Sequence, residues 1–351
     1  MNAPAKIRQP LCLLCGKPGE SLYRELKDQL YGVGGRWDMS QCRACSVAWL
    51  DPRPSDFGLL YQHYYTHGGE AAQNWRARRR ARSDRISLIA GKMALGYPVS
   101  ATAGEEFAAR LRNLFRPGRE MAAMRLAGIR GPANGEVLDI GCGSGGLLAT
   151  LKDSGWGITG LEVDEKAVAA ARAGGLDVQH GLLDSTALSG RRFAYIILNH
   201  VIEHVPDPVA YFRECGRLLA PGGRVIVLTP NLGGVAHRHF RRFWRGLETP
   251  RHLVIFSPQS LRAVGTAAGL QVTASTTLVR GARFMYTQSA RMRDGRMNIE
   301  RGLGTSVPEK IRRLAISYVF QALEWLAVLA NPEAGDEILM QFSASSQART
   351  S

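Results

Sequence analysis

A doubly wound α/β sheet with helices on both faces is the fold class predicted for the greater part of this 351-residue chain. Three observations predict it. Glu136-Val-Leu-Asp-Ile-Gly-Cys-Gly-Ser-Gly-Gly146 is an apolar run that ends in an acidic residue and breaks into alternating glycines. Trp156 to Leu161 is a second apolar run, closed by Glu162. From residue 134 onward, strand-like and helix-like segments alternate, as βαβ crossovers require.

In the first run, Val137, Leu138 and Ile140 are apolar and β-prone, so a buried strand is expected. Gly141, Gly143 and Gly145 permit positive φ and let a ligand approach the backbone without Cβ interference. A helix is expected from Gly146 to Asp153. A strand, a glycine turn and a helix N-terminus hold nucleotides at the carboxyl edge of such sheets. Glu162 sits where a carboxylate accepts both hydroxyls of a ribose, so adenosine is the expected ligand moiety. Gly141, Gly143 and Gly146 also satisfy G-x-G-x-x-G, a pattern shared with dinucleotide enzymes. Asp139 separates the two classes: its carboxylate would repel a pyrophosphate and suit a ligand that carries an ammonium and a sulfonium.

Four segments together resemble the class I S-adenosylmethionine-dependent methyltransferases. Leu138-Asp-Ile-Gly-Cys-Gly-Ser-Gly145 is similar to their first motif and Leu161-Glu-Val-Asp164 to their second-strand acidic end. Phe193-Ala-Tyr-Ile-Ile-Leu-Asn-His-Val-Ile-Glu-His-Val-Pro-Asp-Pro208 resembles their fourth strand and the helix after it. Leu218-Leu-Ala-Pro-Gly-Gly-Arg-Val-Ile-Val-Leu-Thr-Pro-Asn231 resembles their turn and fifth strand. The likeness covers about residues 134–280, with a last strand at Glu337 to Ser343. It implies a Rossmann-like seven-stranded sheet whose last strand is antiparallel, and S-adenosyl-L-methionine as the cofactor. Asp139, Gly141, Cys142, Gly143, Gly145 and Glu162 would then line the donor, with Asn199 at the end of the fourth strand. Asp184 would accept from the adenine amino group, and Leu183 would lie against the ring.

The remaining elements follow in chain order. Cys12-Leu-Leu-Cys15 and Cys42-Arg-Ala-Cys45 are two C-x-x-C pairs separated by 26 residues, a spacing that puts four thiolates around one tetrahedral Zn²⁺. Disulfides compete, but two adjacent pairs suit a metal better. With four protein ligands such a metal would be structural, in a module of residues 1–56. Trp49-Leu-Asp-Pro-Arg-Pro54 and Tyr61-Gln-His-Tyr-Tyr65 resemble a segment of bacterial methyltransferases with a zinc-ribbon-like N-terminus, many encoded beside sugar-modification enzymes. Residues 57–133 read as helices with few strand signals, and the resemblance makes them part of a lid. Residues 134–351 form the methyltransferase domain. Asp207-Pro208 opens a helix to Leu219, which Pro221-Gly222-Gly223 ends. The sixth strand is expected near Gln271 to Val279. An insertion at about 281–335, too long for an ordinary loop, follows it.

Charge is unevenly distributed. Residues 1–130 carry +10, 131–231 carry −3 and 232–351 carry +8. The basic flanks therefore point to an anionic partner: an anionic small molecule or glycan, an anionic membrane surface, or, less favoured, nucleic acid. The densest runs are Arg76 to Arg82 and Arg238 to Arg245. No signal peptide opens the chain, so a cytoplasmic location is expected, with peripheral contact at the inner membrane face open. Leu314 to Ala330 is apolar over 17 residues but contains Gln321 and Glu324, so it reads as short of a membrane span. It suits either a helix packed on the domain or one lying on an anionic membrane.

Methyl transfer from a sulfonium mainly requires alignment, and a base only if the acceptor must lose a proton. His200, Glu203 and His204 follow the fourth strand, where the reacting methyl should lie. His252, after Thr249-Pro-Arg251, is a further candidate, with Arg251, for acceptor contact. His200-Val-Ile-Glu-His204 also fits the inverted zinc-protease signature, which would need both histidines on one helix face. The E-x-x-E-H of ubiquinone-pathway O-methyltransferases is associated with a divalent metal, and here His200 replaces the first Glu. The expected activity is methyl transfer to a hydroxyl or carbon of a sugar, nucleotide-sugar or lipid-linked glycan intermediate. Alternatives are an RNA- or ribosome-directed methyltransferase, a non-catalytic cofactor-binding module, and an NAD-dependent oxidoreductase.

Overall fold

The computed structural model describes residues 10–54, 82–183, 188–295 and 307–345. The apolar run at 136–140 forms strand β4 (Glu136–Ile140), flanked by β5 (Gly157–Glu162) and β7 (Phe193–Asn199). Three strands precede it, β1 (Glu20–Leu26), β2 (Trp37–Gln41) and β3 (Ala48–Asp51). The others are β6 (Val178–His180), β8 (Leu219–Pro230), β9 (Val254–Ile255), β10 (Leu270–Leu278) and β11 (Glu337–Ala344).

Seven of these make one sheet in the order β10-β11-β8-β7-β4-β5-β6. β11 runs antiparallel to both β8 and β10, and the pairs β4 to β5, β4 to β7, β5 to β6 and β7 to β8 are parallel. This is the seven-stranded arrangement expected, with its last strand reversed. Strand order turns back between β4 and β7, which opens a crevice at their carboxyl ends. Ile140 pairs with both Leu161 and Leu198, so the next residues, Gly141, Glu162 and Asn199, come level along that edge. Val137, Leu138, Ile196 and Val227 are fully buried, as parallel strands covered on both faces require.

Helices cover the faces. α1 (Arg82–Leu95), α2 (Ala103–Leu114) and α3 (Arg116–Ala123) precede β4. Thr102 and Glu105 form a capping box at the start of α2. α4 (Gly146–Lys152) follows the glycine turn, and α5 (Glu165–Ala173) is capped by Asp164. α6 (Pro208–Arg217) starts on an Asp207 cap with proline in its first turn. It ends two residues earlier than expected. Pro221-Gly222-Gly223 lies inside β8, where only glycine fits at 223: a Cβ there would stand 2.7 Å from the Phe193 carbonyl of the neighbouring strand. α7 (Val235–Phe240), α8 (Pro258–Ala267), α9 (Ala282–Arg293) and α10 (Val307–Ala330) complete the set of α-helices among the described residues.

The amino-terminal strands form a second sheet, β1-β2-β3-β9, in which β9 comes from 200 residues downstream. Cys12, Cys42, Val47 and Trp49 share one apolar cluster with Leu138, Ile196 and Phe256, so this sheet and the seven-stranded one are built on a common core. Buried Arg251 ties them further. Its guanidinium donates to Asp28 at 2.7 Å and stacks on Tyr31 at 4.3 Å, while Asp28 also accepts from the amides of Leu30, Tyr31 and Val33. Arg251 is 1% exposed. It anchors the loop and is not free for acceptor contact.

Candidate functional site

The glycine turn has the conformations its sequence requires. Gly141, Gly143 and Gly145 have φ of +70°, +53° and +81°. The Gly141 amide donates to the Leu161 carbonyl at 2.7 Å, which pins the turn to β5. A Cβ on Gly145 would meet Leu176 at 2.3 Å, and one on Gly141 would meet Val201 at 2.8 Å. A Cβ on Gly143 or Gly146 would meet nothing within 4 Å, so the turn is closed on its protein side and open on the other. Gly160, beneath the turn, could not be anything larger: its Cβ would lie 2.6 Å from Cys142 Sγ.

Glu162 organises the same edge. One carboxylate oxygen accepts from the Gly143 amide at 2.8 Å, and the other from the amides of Val163 and Asp164. Asp139 is 3% exposed. Burial, reinforced by the charge of Glu162, pushes its carboxyl up to about 8. A cation placed in the turn would reverse that shift, whereas a pyrophosphate would add to it. Cys142 is packed among Gly160 and Leu148 and its thiol is pushed up by burial, so it is a spacer and not a reactive sulfur. Leu183 is buried and Asn199 is exposed at the end of β7. Asp184 lies outside the described residues. The edge therefore fits a cationic adenosine ligand: an open glycine cradle, a carboxylate at the end of β5 and a buried acid awaiting a positive charge.

Beyond β7 the chain makes a tight turn. His200 takes φ +55°, and Ile202–His204 is a single 3₁₀ turn. The two histidines of the H-x-x-E-H pattern thus do not share a helix face, and the protease reading fails on geometry. His200 is held between two carboxylates: Nδ1 donates to Glu203 at 3.1 Å and Nε2 donates to Glu337 at 3.0 Å. Burial acts to lower its pKa, but the two carboxylates win and raise it to about 10. As a fixed cation with both ring nitrogens engaged, it has no lone pair for a substrate proton. Glu337 is also gripped by Arg280 at 2.9 and 3.1 Å. Glu203 is fully buried and accepts from Thr229 at 3.0 Å. Against the penalty of burial, His200 holds its carboxyl down at about 2.

His204 and His252 meet edge to face, with ring centroids 4.7 Å apart. Each uses Nδ1 on a backbone carbonyl, His204 on Arg251 at 3.0 Å and His252 on Gly246 at 2.7 Å. Burial pulls His252 down to about 4, so it is neutral, with Nε2 as its unprotonated nitrogen, 3.6 Å from Glu248 and 4.0 Å from Glu203. One ligand atom from each of Glu203, His204 and His252 lies within 4.8 Å of the others, a set that could hold a metal ion.

A second such set is the cysteine cluster. The Sγ atoms of Cys12, Cys15, Cys42 and Cys45 all lie within 4.8 Å of one another. The two pairs are near copies: the amide four residues on closes each knuckle on the first cysteine carbonyl, from Gly16 at 3.0 Å and Ser46 at 2.8 Å. Gly16 and Ser46 both have positive φ, +67° and +58°. The backbone amide of Lys17 lowers Cys15 to about 7, so one thiolate is accessible at neutral pH.

Of the two basic runs, the second lies within the described residues. Residues 76–81 lie outside the described residues, and Arg85 pairs with Glu105 at 2.6 Å. In the second run, Arg238, Arg241 and Arg242 are exposed, but Phe240 and Trp244 are buried in the core. Phe240 and Trp244 are therefore not offered to a base for stacking, and Phe243 is half-buried.

Sequence reasoning did not single out Glu337, Arg280, Thr229 or Gly160. Gly160 sits in a predicted strand with no motif. Glu337 is 137 residues from His200 in the chain, and no spacing rule connects them.

Residues 110–275 match the family model of a methyltransferase domain. Ubiquinone biosynthesis O-methyltransferase of Vibrio vulnificus is 30% identical over 141 residues, covering 36% of this chain and 60% of that protein. The enzyme of the same name from Paracidovorax citrulli is 36% identical over 132 residues, covering 34% of this chain and 56% of its own length. The chain thus spans about three fifths of the length of these curated relatives. Among solved structures, a SAM-dependent methyltransferase from Thermotoga maritima superposes with a TM-score of 0.42 at 18% identity, covering 68% of this chain and 94% of that one. The glycopeptide N-methyltransferase MtfA superposes at 0.38 and 16% identity, covering 64% and 92%.

Proposed function

We infer that this chain, whose residues 110–275 match a methyltransferase domain, is an enzyme that moves a methyl group from S-adenosylmethionine to an acceptor. The observation that carries the reading is Asp139: a buried carboxyl behind an open glycine turn, with its pKa raised until a cation arrives. When bound, the sulfonium donor supplies an electrophilic methyl that leaves with the C–S electrons returning to sulfur. Gly141, Gly143 and Gly145 give the donor backbone to lie against, Glu162 receives the ribose, and Asp139 balances its positive charge.

On the acceptor side, His204 is the residue we assign to proton removal. It stands at the end of the 3₁₀ turn after β7, with Nδ1 3.0 Å from the Arg251 carbonyl, and it is less buried than His252. As the acceptor oxygen forms its bond to carbon, its proton passes to the His204 imidazole. His200, Glu203 and Glu337 hold the turn that carries His204. The acceptor class we propose is a hydroxyl or carbon of a sugar, nucleotide-sugar or lipid-linked glycan. The net positive flanks favour an anionic form of it, and the relatives' O-methyltransferase names favour oxygen. For the four cysteines we propose structural Zn²⁺.

Calorimetric titration with S-adenosylhomocysteine and, separately, with NAD tests the cofactor assignment. Binding of the first only is expected, and its loss in Gly141→Arg. Binding of NAD alone would remove the reading. Transfer of labelled methyl to anionic sugar acceptors, compared with RNA, then tests the acceptor class.

A further inference from the structure

Helix α10 is turned inside out relative to a helix bathed in water. Its inward stripe carries polar groups: Ser317 and Glu324 are 2% and 0% exposed, and Gln321 donates to the Val279 carbonyl at 2.9 Å. Its outward arc is apolar. Leu314, Val319, Leu323, Leu326 and Leu329 are 49 to 66% exposed, and from Leu314 to Ala330 no exposed position bears a charge. Over Ile311–Ala330 the helix is long and apolar enough to cross a membrane by length and composition, which corrects the expectation that it falls short. Yet its inward stripe is packed on the domain, with Phe320 and Val328 buried, so the helix is held lengthwise against protein on that side. An uninterrupted apolar arc of this size is not left facing water without a use.

Charge identifies what covers it. Residues 280–313, which lead into the arc, hold nine basic and three acidic side chains. Arg283 lies over the ring of Tyr318 at 3.7 Å, which sets a guanidinium directly on an exposed aromatic at the edge of the arc. Arg312, two residues before Leu314, is exposed as well. An apolar arc bordered by Arg and Tyr matches the layering of an anionic bilayer, with acyl chains beneath and phosphates at the rim. A second copy of the chain would bring two molecules of net charge +15 together.

We propose that α10 is an in-plane membrane anchor, which docks its Leu314 to Leu329 face on anionic phospholipid. The proposal stands apart from the chemistry at β4 and β7. The test is sedimentation of the full chain with vesicles of phosphatidylcholine alone, and with vesicles in which about a third of the lipid is phosphatidylglycerol. Binding to the anionic vesicles only is expected, weakening as salt rises. Val319→Glu with Leu326→Glu should abolish it. Arg312→Glu should weaken it by about thirtyfold, since each cation near such a surface contributes about 1 kcal/mol and reversal counts twice. These side chains are exposed, so S-adenosylhomocysteine binding and the circular dichroism of all variants should match wild type. Equal binding to both vesicle types, no binding to either, or a dimer that the same glutamates dissociate while vesicles fail to bind would each overturn the proposal.

Discussion

Asp139 and His200 are two ionisable groups moved in the same direction by opposite causes. Burial and the charge of Glu162 keep Asp139 protonated up to about pH 8, so a cationic donor must bind the form that the free protein disfavours at neutral pH. Affinity for S-adenosylhomocysteine, whose ammonium is positive, should therefore rise from pH 6 to 8 and then level off. Asp139→Asn should remove that slope and weaken binding at pH 8 by about tenfold or more. Titration calorimetry across the range reads both. His200 keeps its proton because the carboxylates of Glu203 and Glu337 stabilise the imidazolium, with a folded pKa of about 10. Because that lies above its unfolded value, the stabilisation is complete below about pH 6.5 and is lost as pH climbs toward 10. Glu337→Gln should pull the His200 imidazole titration down, seen by NMR, and shrink that alkaline loss of stability.

At the scale of elements, two buried polar arrangements hold the fold, the first of them across segments distant in sequence. Asp28 and Arg251 bind the loop between β1 and β2 to the loop before β9, both side chains fully buried. Removing one partner leaves a charge without compensation, so Asp28→Ala should cost about 3 to 5 kcal/mol in urea unfolding. On α10, Glu324 accepts from the Asp336 amide at 2.9 Å while its carboxyl is raised by burial and by the Asp336 carboxylate. The folded chain thus takes up a proton that an unfolded glutamate releases, and stability falls as pH rises above the ordinary carboxyl range. Glu324→Gln should be more stable than wild type at pH 8 by about 1 kcal/mol and lose that advantage in acid, by thermal melts at both pH values.

For the molecule as a whole, the cysteine cluster and the seven-stranded sheet rest on one core, so loss of the cluster should be felt throughout. Cys42→Ser should reduce bound metal, measured by elemental analysis, and lower the melting temperature of the single transition rather than produce a separate early one. A separate early transition would show that the amino-terminal sheet folds on its own.

Local sequence determined the strand, glycine turn and acidic pair at 136–162, because positive φ, burial and a carboxylate at a strand end are properties of single residues and their neighbours. It likewise determined the two C-x-x-C knuckles and the capped helices. Tertiary structure alone decided the pairing of His200 with Glu337, the closure of the amino-terminal sheet by β9, the burial of Arg251 and the outward direction of the apolar arc on α10. Each of these depends on which surfaces meet across more than a hundred residues of chain or on which side of a helix finds the core, and no spacing within a segment encodes that.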